Sequence, residues 1–407
     1  MDSIIARRDF LKYSLAGGVM AVPAVRARAQ GNAPFRIGVM NDQSSVYSNL
    51  GGKGSRVAIE LAIEDFGGSV LGRPIELLSA DHQNKVDVGT SIAREWLDVK
   101  GVQAIFDLQT SSVALAVIPI LAKANKIGVA SASSSSDITG KACTPVTFHW
   151  TYDSYALSRV QPTALVKQGK LKWFLINIDN AAGTALEADL TNALTKLGAT
   201  ILGKVKAPLG ATDYTSVLLM AQNSGADVIQ IGASGADLVN EINQIKEFGI
   251  DHGKIVATTG MSIIDVNSLG LEKSEGLLVA ESFYWDLNEA TRNWSKRYIE
   301  RMGVPATMYQ AGNYSAALHY LKAVDKVGSS DGLPVANMMK RTPVEDMMSN
   351  KLEIREDGRV VREVYLFRVK APKESKHKFD YYHVDAVVPG ASLVRPLSES
   401  ECQFIKK

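Results

Sequence analysis

Apolar and polar positions along this chain alternate between two periods. FRIGVMND (35–42) is followed by SRVAIELAIEDFGG, PIELLSAD by DVGTSIAREWLDV, and VQAIFDLQ by SSVALAVIPILAKANK, after which IGVAS opens another apolar run. Short β-branched runs between helical segments predict a parallel sheet built by right-handed crossovers. In the helix from Ser55, the residues Val57, Ile59, Leu61, Ala62, Ile63 and Phe66 form a broad apolar face near the 3.6-residue period. This first unit extends to about residue 150. A second series starts with KWFLIN (172–177) and runs through TALEADLTNALTKLG, ATILGKVKAP, YTSVLLMAQNSG, ADVIQIG, ADLVNEINQIKEFG, KIVATT and GLLVAESFYW. The fold class is therefore α/β, with two Rossmann-like lobes of similar size, each on a parallel sheet. Gly198, Gly225, Gly249 and Gly303 follow helical runs, where a left-handed residue ends a helix. Beyond residue 286 come helices around TRNWSKRYIERMG and MYQAGNYSAALHYLKAVDKVG. Asp357-Gly358 inside KLEIREDGRVVREVYLFRVK reads as a hairpin turn, and 371–407 as a strand-poor, extended tail.

Ahead of the first strand stands RRDFLKYSLAGGVMAVPAVRARAQ (7–30). Its apolar run is about 13 residues, short of the roughly 20 that span a bilayer as a helix. Ala27-Arg28-Ala29 offers a cleavage site before Gln30. RRDFLK resembles the twin-arginine export signal, with Ala6 in place of the usual hydroxyl residue; the resemblance implies delivery of a folded protein to the periplasm and removal of residues 1–29. The formal net charge of +2 then becomes −1, because the leader carries Arg7, Arg8, Lys12, Arg26 and Arg28 against Asp2 and Asp9. Nucleic-acid binding needs clustered cations, and this chain offers only single or paired ones between acids. Cys143 and Cys402 are the only cysteines. An oxidising compartment permits one bridge between them, and two unpaired buried thiols are the alternative.

Ligands of parallel sheets bind beyond the carboxyl ends of the strands. Three such ends in the first unit are rich in hydroxyls: NDQSSVYSNLGGKGS (41–55), LQTSSV (108–113) and SASSSSD (131–137). The last two are expected to set backbone N–H groups and serine hydroxyls at helix starts, where unpaired donors and a partial positive charge favour an anion. Hydrogen bonds to an ionised acceptor contribute about 1.5 to 3 kcal/mol each, so a few of them hold a carboxylate without an arginine. Aromatic residues gather in FHWTYDSY (148–155) and SFYWD (282–286), where the chain passes between the units. They are candidates for stacking on a flat ligand or for packing the joint, with Tyr47 a further candidate on the first loop.

The order of NDQSSVYSNLGGKGS, LGRPIELLSADHQNK, ITGKACTPVTFHWTYDSYALS, GATDYTSVLLMAQNSGADVIQIGASGAD and MYQAGNYSAALHYLKAV resembles the type I periplasmic solute-binding proteins of ABC transporters. The likeness is to the branched-chain amino-acid-binding group and its aromatic-acid-binding relatives, over nearly all of the chain after the leader. It implies two lobes joined by three crossings, lobe 1 from 34–151 and 284–335, lobe 2 from 152–283 and 336–390, and a C-terminal tail at 391–407. It implies no enzymatic activity and no cofactor or metal, but closure on a small carboxylate and partnership with inner-membrane permease subunits, without membrane insertion once the leader is gone. Carried onto this sequence, the first-lobe anion site falls at Thr110, Ser111 and Ser112 and at Ala132, Ser133 and Ser134, with Tyr47 from the first loop. Second-lobe positions are Tyr152, Asn180, Ser234 and Met261, with Phe283 or Tyr284 near the crossing. Amino-acid binders hold the ammonium with a carboxylate where this chain has Met261. The small residues of Asp179-Asn180-Ala181-Ala182-Gly183 imply a roomy pocket. The expected ligand is a small organic carboxylate, an aromatic acid foremost, with an amino acid or amide as the alternative.

A serine hydrolase is the enzymatic rival, since GASGA (232–236) approximates a G-x-S-x-G elbow around Ser234 after a strand and before a helix. His82 beside Asp81 has no second His or Cys at metal-ligand spacing, and GGKGS lacks the phosphate-loop spacing.

Overall fold

The computed structural model describes residues 33–405; the twin-arginine motif and the cleavage site after Ala29 lie outside them. Among the described residues, thirteen strands and twelve α-helices form two sheets with helices on their faces. The first part of the chain runs β1 Phe35–Asn41, α1 Gly52–Phe66, β2 Ser69–Val70, β3 Arg73–Asp81, α2 Val86–Glu95, β4 Ala104–Asp107, α3 Ser111–Lys123, β5 Ile127–Ala130 and β6 Thr147–His149. The sheet order is β2-β3-β1-β4-β5-β6, parallel except for the short β2. Next come α4 Ser154–Lys167, β7 Lys172–Ile178, α5 Ala181–Lys196, β8 Thr200–Ala207, α6 Thr215–Asn223, β9 Val228–Gly232, α7 Gly235–Glu247, β10 Ile255–Thr258, α8 Ile263–Leu269, α9 Leu271–Ser274 and β11 Leu278–Glu281. The chain then returns to the first sheet with α10 Glu289–Met302, α11 Met308–Val327 and α12 Gly332–Arg341. It ends in the second with β12 Val364–Val369 and β13 Tyr382–Val388. The second sheet is ordered β13-β12-β11-β10-β9-β7-β8, parallel except for β12, which is antiparallel to both β11 and β13.

The two-lobe α/β expectation is met, and the four glycines expected after helices all have left-handed φ. Three departures have local causes. Helix α4 escapes a periodicity reading because it is buried along most of its length and contains Pro162, so that its one narrow polar edge, Arg159, Thr163 and Lys167, does not stand out. The return to lobe 2 expected at residue 336 comes later: Val335, Ala336 and Met339 of α12 join the first lobe's core beside α11, and the chain reaches the second sheet only at Val364. The segment 371–407, expected to be strand-poor, supplies β13, whose pairing to β12 covers what would have been a bare sheet edge. The turn at Asp357-Gly358 does form, with Gly358 at φ 84°, but only single bridges flank it, because the following residues leave to pair with β11.

Three crossings link the lobes, at 150–153, 282–288 and 342–363. The first and third are locked together. Arg359 donates through Nε to Asp153 Oδ2 at 2.9 Å, both side chains buried, and through a second nitrogen to the carbonyls of His149 and Val360. Burial works against the Asp153 charge, yet the Arg359 guanidinium holds that carboxyl below its ordinary range. The tail closes over the same region. Arg395 reaches Asp189 of α5 and the Ser136 hydroxyl, each at 3.2 Å, and Cys402 is joined to Cys143.

That disulfide closes a loop of 259 residues, and long loops lose the most unfolded-state freedom when cross-linked. Replacing Cys402 by Ser is expected to destabilise the protein by about 2–5 kcal/mol, read as a lowered urea midpoint while the far-ultraviolet circular dichroism is kept; an unchanged midpoint would contradict a stabilising bridge.

Candidate functional site: the interlobe cleft

The first-lobe wall is built on a buried carboxylate. Asp42, fully buried after β1, accepts hydrogen bonds from the N–H groups of Ser45 (2.9 Å) and Tyr47 (2.8 Å), from the Ser45 hydroxyl (2.7 Å) and from Asn84 Nδ2 (2.9 Å). These bonds curl residues 42–47 into a tight loop and set Tyr47 over the cleft. Asn84 also accepts the Thr110 hydroxyl proton on Oδ1, so one side chain ties the Tyr47 loop to the start of α3. His82 completes the frame: Nε2 donates to the Gln109 carbonyl at 2.9 Å and Nδ1 accepts from Asn84 N–H at 3.0 Å. Gln109 in turn donates to the Tyr47 carbonyl at 3.0 Å. His82 is thus neutral scaffolding, its pKa lowered by burial. Asn84, Asp107, Leu108 and Thr110 all have positive φ. Such conformations cost of order 1–3 kcal/mol each and persist where the surroundings over-determine them, as here.

Two further strand ends complete this wall. The Ser111 hydroxyl accepts from the N–H groups of Ser134 (3.2 Å) and Ser135 (3.1 Å), joining the start of α3 to the loop after β5. In the second lobe, Asn180 caps α5 by accepting from Gly183 N–H at 2.8 Å. A Cβ on Gly183 would lie 2.0 Å from the Ile178 carbonyl oxygen, so glycine lets the helix begin hard against its strand. Ser234 precedes α7 without capping it through its side chain. The lobes touch here: Ala236 N–H donates to the Val46 carbonyl at 3.2 Å, and Asn180 Nδ2 to the Tyr47 hydroxyl at 3.3 Å.

Between the walls lie two adjoining cavities of about 50 Å³ each, which share Tyr47, Ser134, Tyr152, Asn180, Ala182 and Ser234. Of the residues expected at the site, Thr110, Ser111 and Ala132 line one of them as well. Four others do not line them. Ser112 lies one residue further into α3, Ser133 turns inward to donate to the Leu108 carbonyl, and Met261 is packed in the second lobe's core. Tyr284 packs the second crossing, donating to the Phe379 carbonyl at 3.2 Å, with Tyr382 and Phe367 against its ring. For Ser112 and Ser133 the cause is that a strand or helix end can be located from sequence while neighbouring side chains there point different ways; Met261 and Tyr284 were carried over from the family resemblance, which does not locate a side chain. Leu50, Gln109, Leu157, Leu186, Thr259, Gly260 and Tyr309 line the space without having been expected. Gln109 sat within the LQTSSV motif, whereas nothing in the sequence brings Tyr309, from the start of α11, beside Tyr152, with ring centroids 5.3 Å apart.

None of the lining residues is charged, and none is a histidine. Ser234 therefore has no imidazole beside it to act as a general base. Burial pushes the Tyr152 phenol up to about 12 and raises Tyr47 as well, so both remain O–H donors. The N-termini of α3, α5 and α7 meet at this space, each contributing a partial positive charge of roughly half an elementary unit. The arrangement can accept a negative group on neutral donors.

A family model described as periplasmic binding protein matches residues 34–377. The chain belongs to that family. A crystal structure of a periplasmic binding protein from Burkholderia mallei is similar at 38% identity and a TM-score of 0.90, covering 92% of this chain and all of that one (100%). A branched-chain amino-acid ABC transporter periplasmic ligand-binding protein from Burkholderia xenovorans is 39% identical, with a TM-score of 0.82 over 91% of this chain and 99% of that one. The fold, at 22% identity and a TM-score of 0.79 over 88% of this chain and 98% of its own, is shared by an ABC transporter solute-binding protein from Rhodopseudomonas palustris in complex with 3,4-dihydroxybenzoic acid. Family and fold are thus those of solute-binding proteins, and no helix of the described residues is long and apolar enough to cross a membrane.

Two outcomes follow from this geometry. Asn84→Ala removes the tie between the Tyr47 loop and Thr110, and is expected to weaken ligand affinity about tenfold, the equivalent of one buried hydrogen bond, while the fold persists; isothermal titration decides it, and an unaltered affinity would show the tie to be dispensable. Asp265, which accepts from Ser262 N–H and hydroxyl at 2.8 Å and from Gly235 N–H behind Ser234, is pushed by burial to about 7. The native state therefore keeps a proton that the unfolded chain releases from about pH 4 upward, so stability conferred at low pH is lost as pH rises from about 4 to 7. Urea midpoints across that range should fall for the native sequence and fall less steeply for Asp265→Asn; equal slopes would remove Asp265 as the source.

Proposed function

We propose that this protein is an exported periplasmic receptor that captures a small organic carboxylate, an aromatic acid foremost, between its lobes and delivers it to the permease of an ABC importer. The observation that carries the reading is a cleft lined by donors and rings but by no charged side chain, at the meeting point of three helix N-termini. A carboxylate would be held by the Ser111 and Ser134 region of lobe 1, with Thr110 and nearby backbone N–H groups. The apolar body would lie among Tyr47, Tyr152, Tyr309, Ala182 and Leu186. Asn180 and Ser234 would close over it from lobe 2, and the Tyr47–Asn180 and Val46–Ala236 contacts would be those of the closed state. The residues outside the cavities, Ser112, Ser133, Met261 and Tyr284, would act only through packing.

An α-amino acid also carries an ammonium group, whose burial needs an anionic partner, and no carboxylate lines this cleft. The second reading, an amino-acid or amide receptor, is supported by the branched-chain amino-acid designation of the Burkholderia xenovorans relative. Calorimetric titration of the mature protein with substituted benzoates, phenylpropanoates, the matching amides and leucine separates the two. The proposal expects an aromatic carboxylate to bind at least tenfold tighter than its amide and than leucine, with Ser134→Ala lowering that affinity about tenfold. Leucine or an amide binding tighter than every carboxylate would establish the second reading instead.

A further inference from the structure

The outer side of lobe 2 holds a second, larger concavity that shares no residue with the cleft. It begins with the sequence of α4, in which Arg159, Thr163 and Lys167 recur at four-residue spacing and so share one helix face, with Val160 and Ala164 beside them. The last turn of α5 adds Lys196 and Leu197. The opposite wall is β12 and β13 with the turn that follows, presenting Leu366, Val388 and Leu393. The groove offers about 540 Å³ and is open to solvent along one side.

Its charge is one-sided. Arg159, Lys167 and Lys196 line it, and no carboxylate does. Lys196 has Glu399 at 3.8 Å, both exposed. Lys167 makes no ion pair among the described residues. Nor does Arg159, which donates to the Tyr155 carbonyl (2.8 Å) and the Ser158 hydroxyl (2.9 Å) and lies 3.3 Å over the Tyr155 ring. Lys167 and Lys196 also sit at the negative ends of their helices, which accounts for them in part. Arg159 is in the middle of α4, so the helix dipole does not account for it; the charges of Asp189 and Asp153 act on its half-buried guanidinium, and neither carboxylate lines the groove. An apolar trough with cations and no carboxylate along its lining is complementary to an anion with an apolar tail.

We propose that this groove is a separate binding site for a long-chain aliphatic monocarboxylate. Its head group sits at Arg159 and Lys167, and its chain lies over Leu366, Val388 and Leu393. The site is independent of the cleft and of the ligand held there.

Titrating the mature protein with dodecanoate below its micelle concentration, beside acetate and dodecyltrimethylammonium, tests this. One saturable site at least tenfold tighter for dodecanoate than for either control is expected. Arg159→Gln should erase the preference for the anion, and Lys167→Glu at the exposed rim should weaken it if the Arg159 variant fails to fold. Ala386→Trp, filling the groove, should abolish binding, while Tyr47→Ala in the cleft should leave it unchanged. Absence of saturable binding overturns the proposal. So does loss of binding in Tyr47→Ala with retention in Ala386→Trp, which would place dodecanoate in the cleft. Retention in both variants overturns it too, leaving the groove to another occupant such as a protein segment.

Discussion

The constraint on which the site rests is that the start of α3 faces the starts of α5 and α7 across a gap with no cation in it. Each start leaves backbone N–H groups without helical partners, and side chains satisfy only some of them: Asn180 caps α5, while Ser234 leaves α7 uncapped by its hydroxyl. Open donors aimed at a shared, partly dry space are costly when empty and strong when an anion fills them, because the low local dielectric amplifies both states. The same fields disfavour an ammonium group in this gap. On the proposed reading, selectivity for charge sign comes from backbone orientation, and the side chains that line the gap are free to select for shape.

Holding those helix starts in place takes most of the unusual residues in the chain. Asp42 spends its carboxylate on the Tyr47 loop, Asn84 joins that loop to Thr110, and Ser111 accepts two N–H groups from the loop after β5. At the hinge, Arg359 and Asp153 fix the first crossing to the third. Asp189 receives the hydroxyls of Ser136 and Ser154 and the Arg395 guanidinium. The C-terminal tail thereby spans both lobes and ends on the Cys143–Cys402 bridge. The bridge apart, these are polar contacts of the kind that small displacements make and break, suited to the opening and closing that the proposed reading requires.

The sheets were legible in the sequence because strands buried on both faces read as β-branched runs and their helices show a polar stripe. Helix α4 was not, since burial along most of its length leaves only a narrow polar edge, and α12 was divided between the lobes because contact partners leave no local signature. At the site, the strand-end argument reached Thr110, Ser111 and Ser134 through chemistry that neighbouring residues share. It could not separate Ser133 from Ser134, whose hydroxyls point to opposite sides of one loop. Met261 and Tyr284 were placed by likeness alone, and both belong to packing. Tyr309 became visible only when α11 folded back against the first crossing.

The central claim, that neutral donors at helix N-termini hold an ionised carboxylate, is tested most directly by following the carboxyl carbon of a bound, ¹³C-labelled benzoate through a pH titration. The account predicts that the bound group stays ionised to at least one pH unit below the free acid, because every donor around it favours the charged form. A bound carboxyl group that takes up its proton at the free acid's pH or above it would contradict the account.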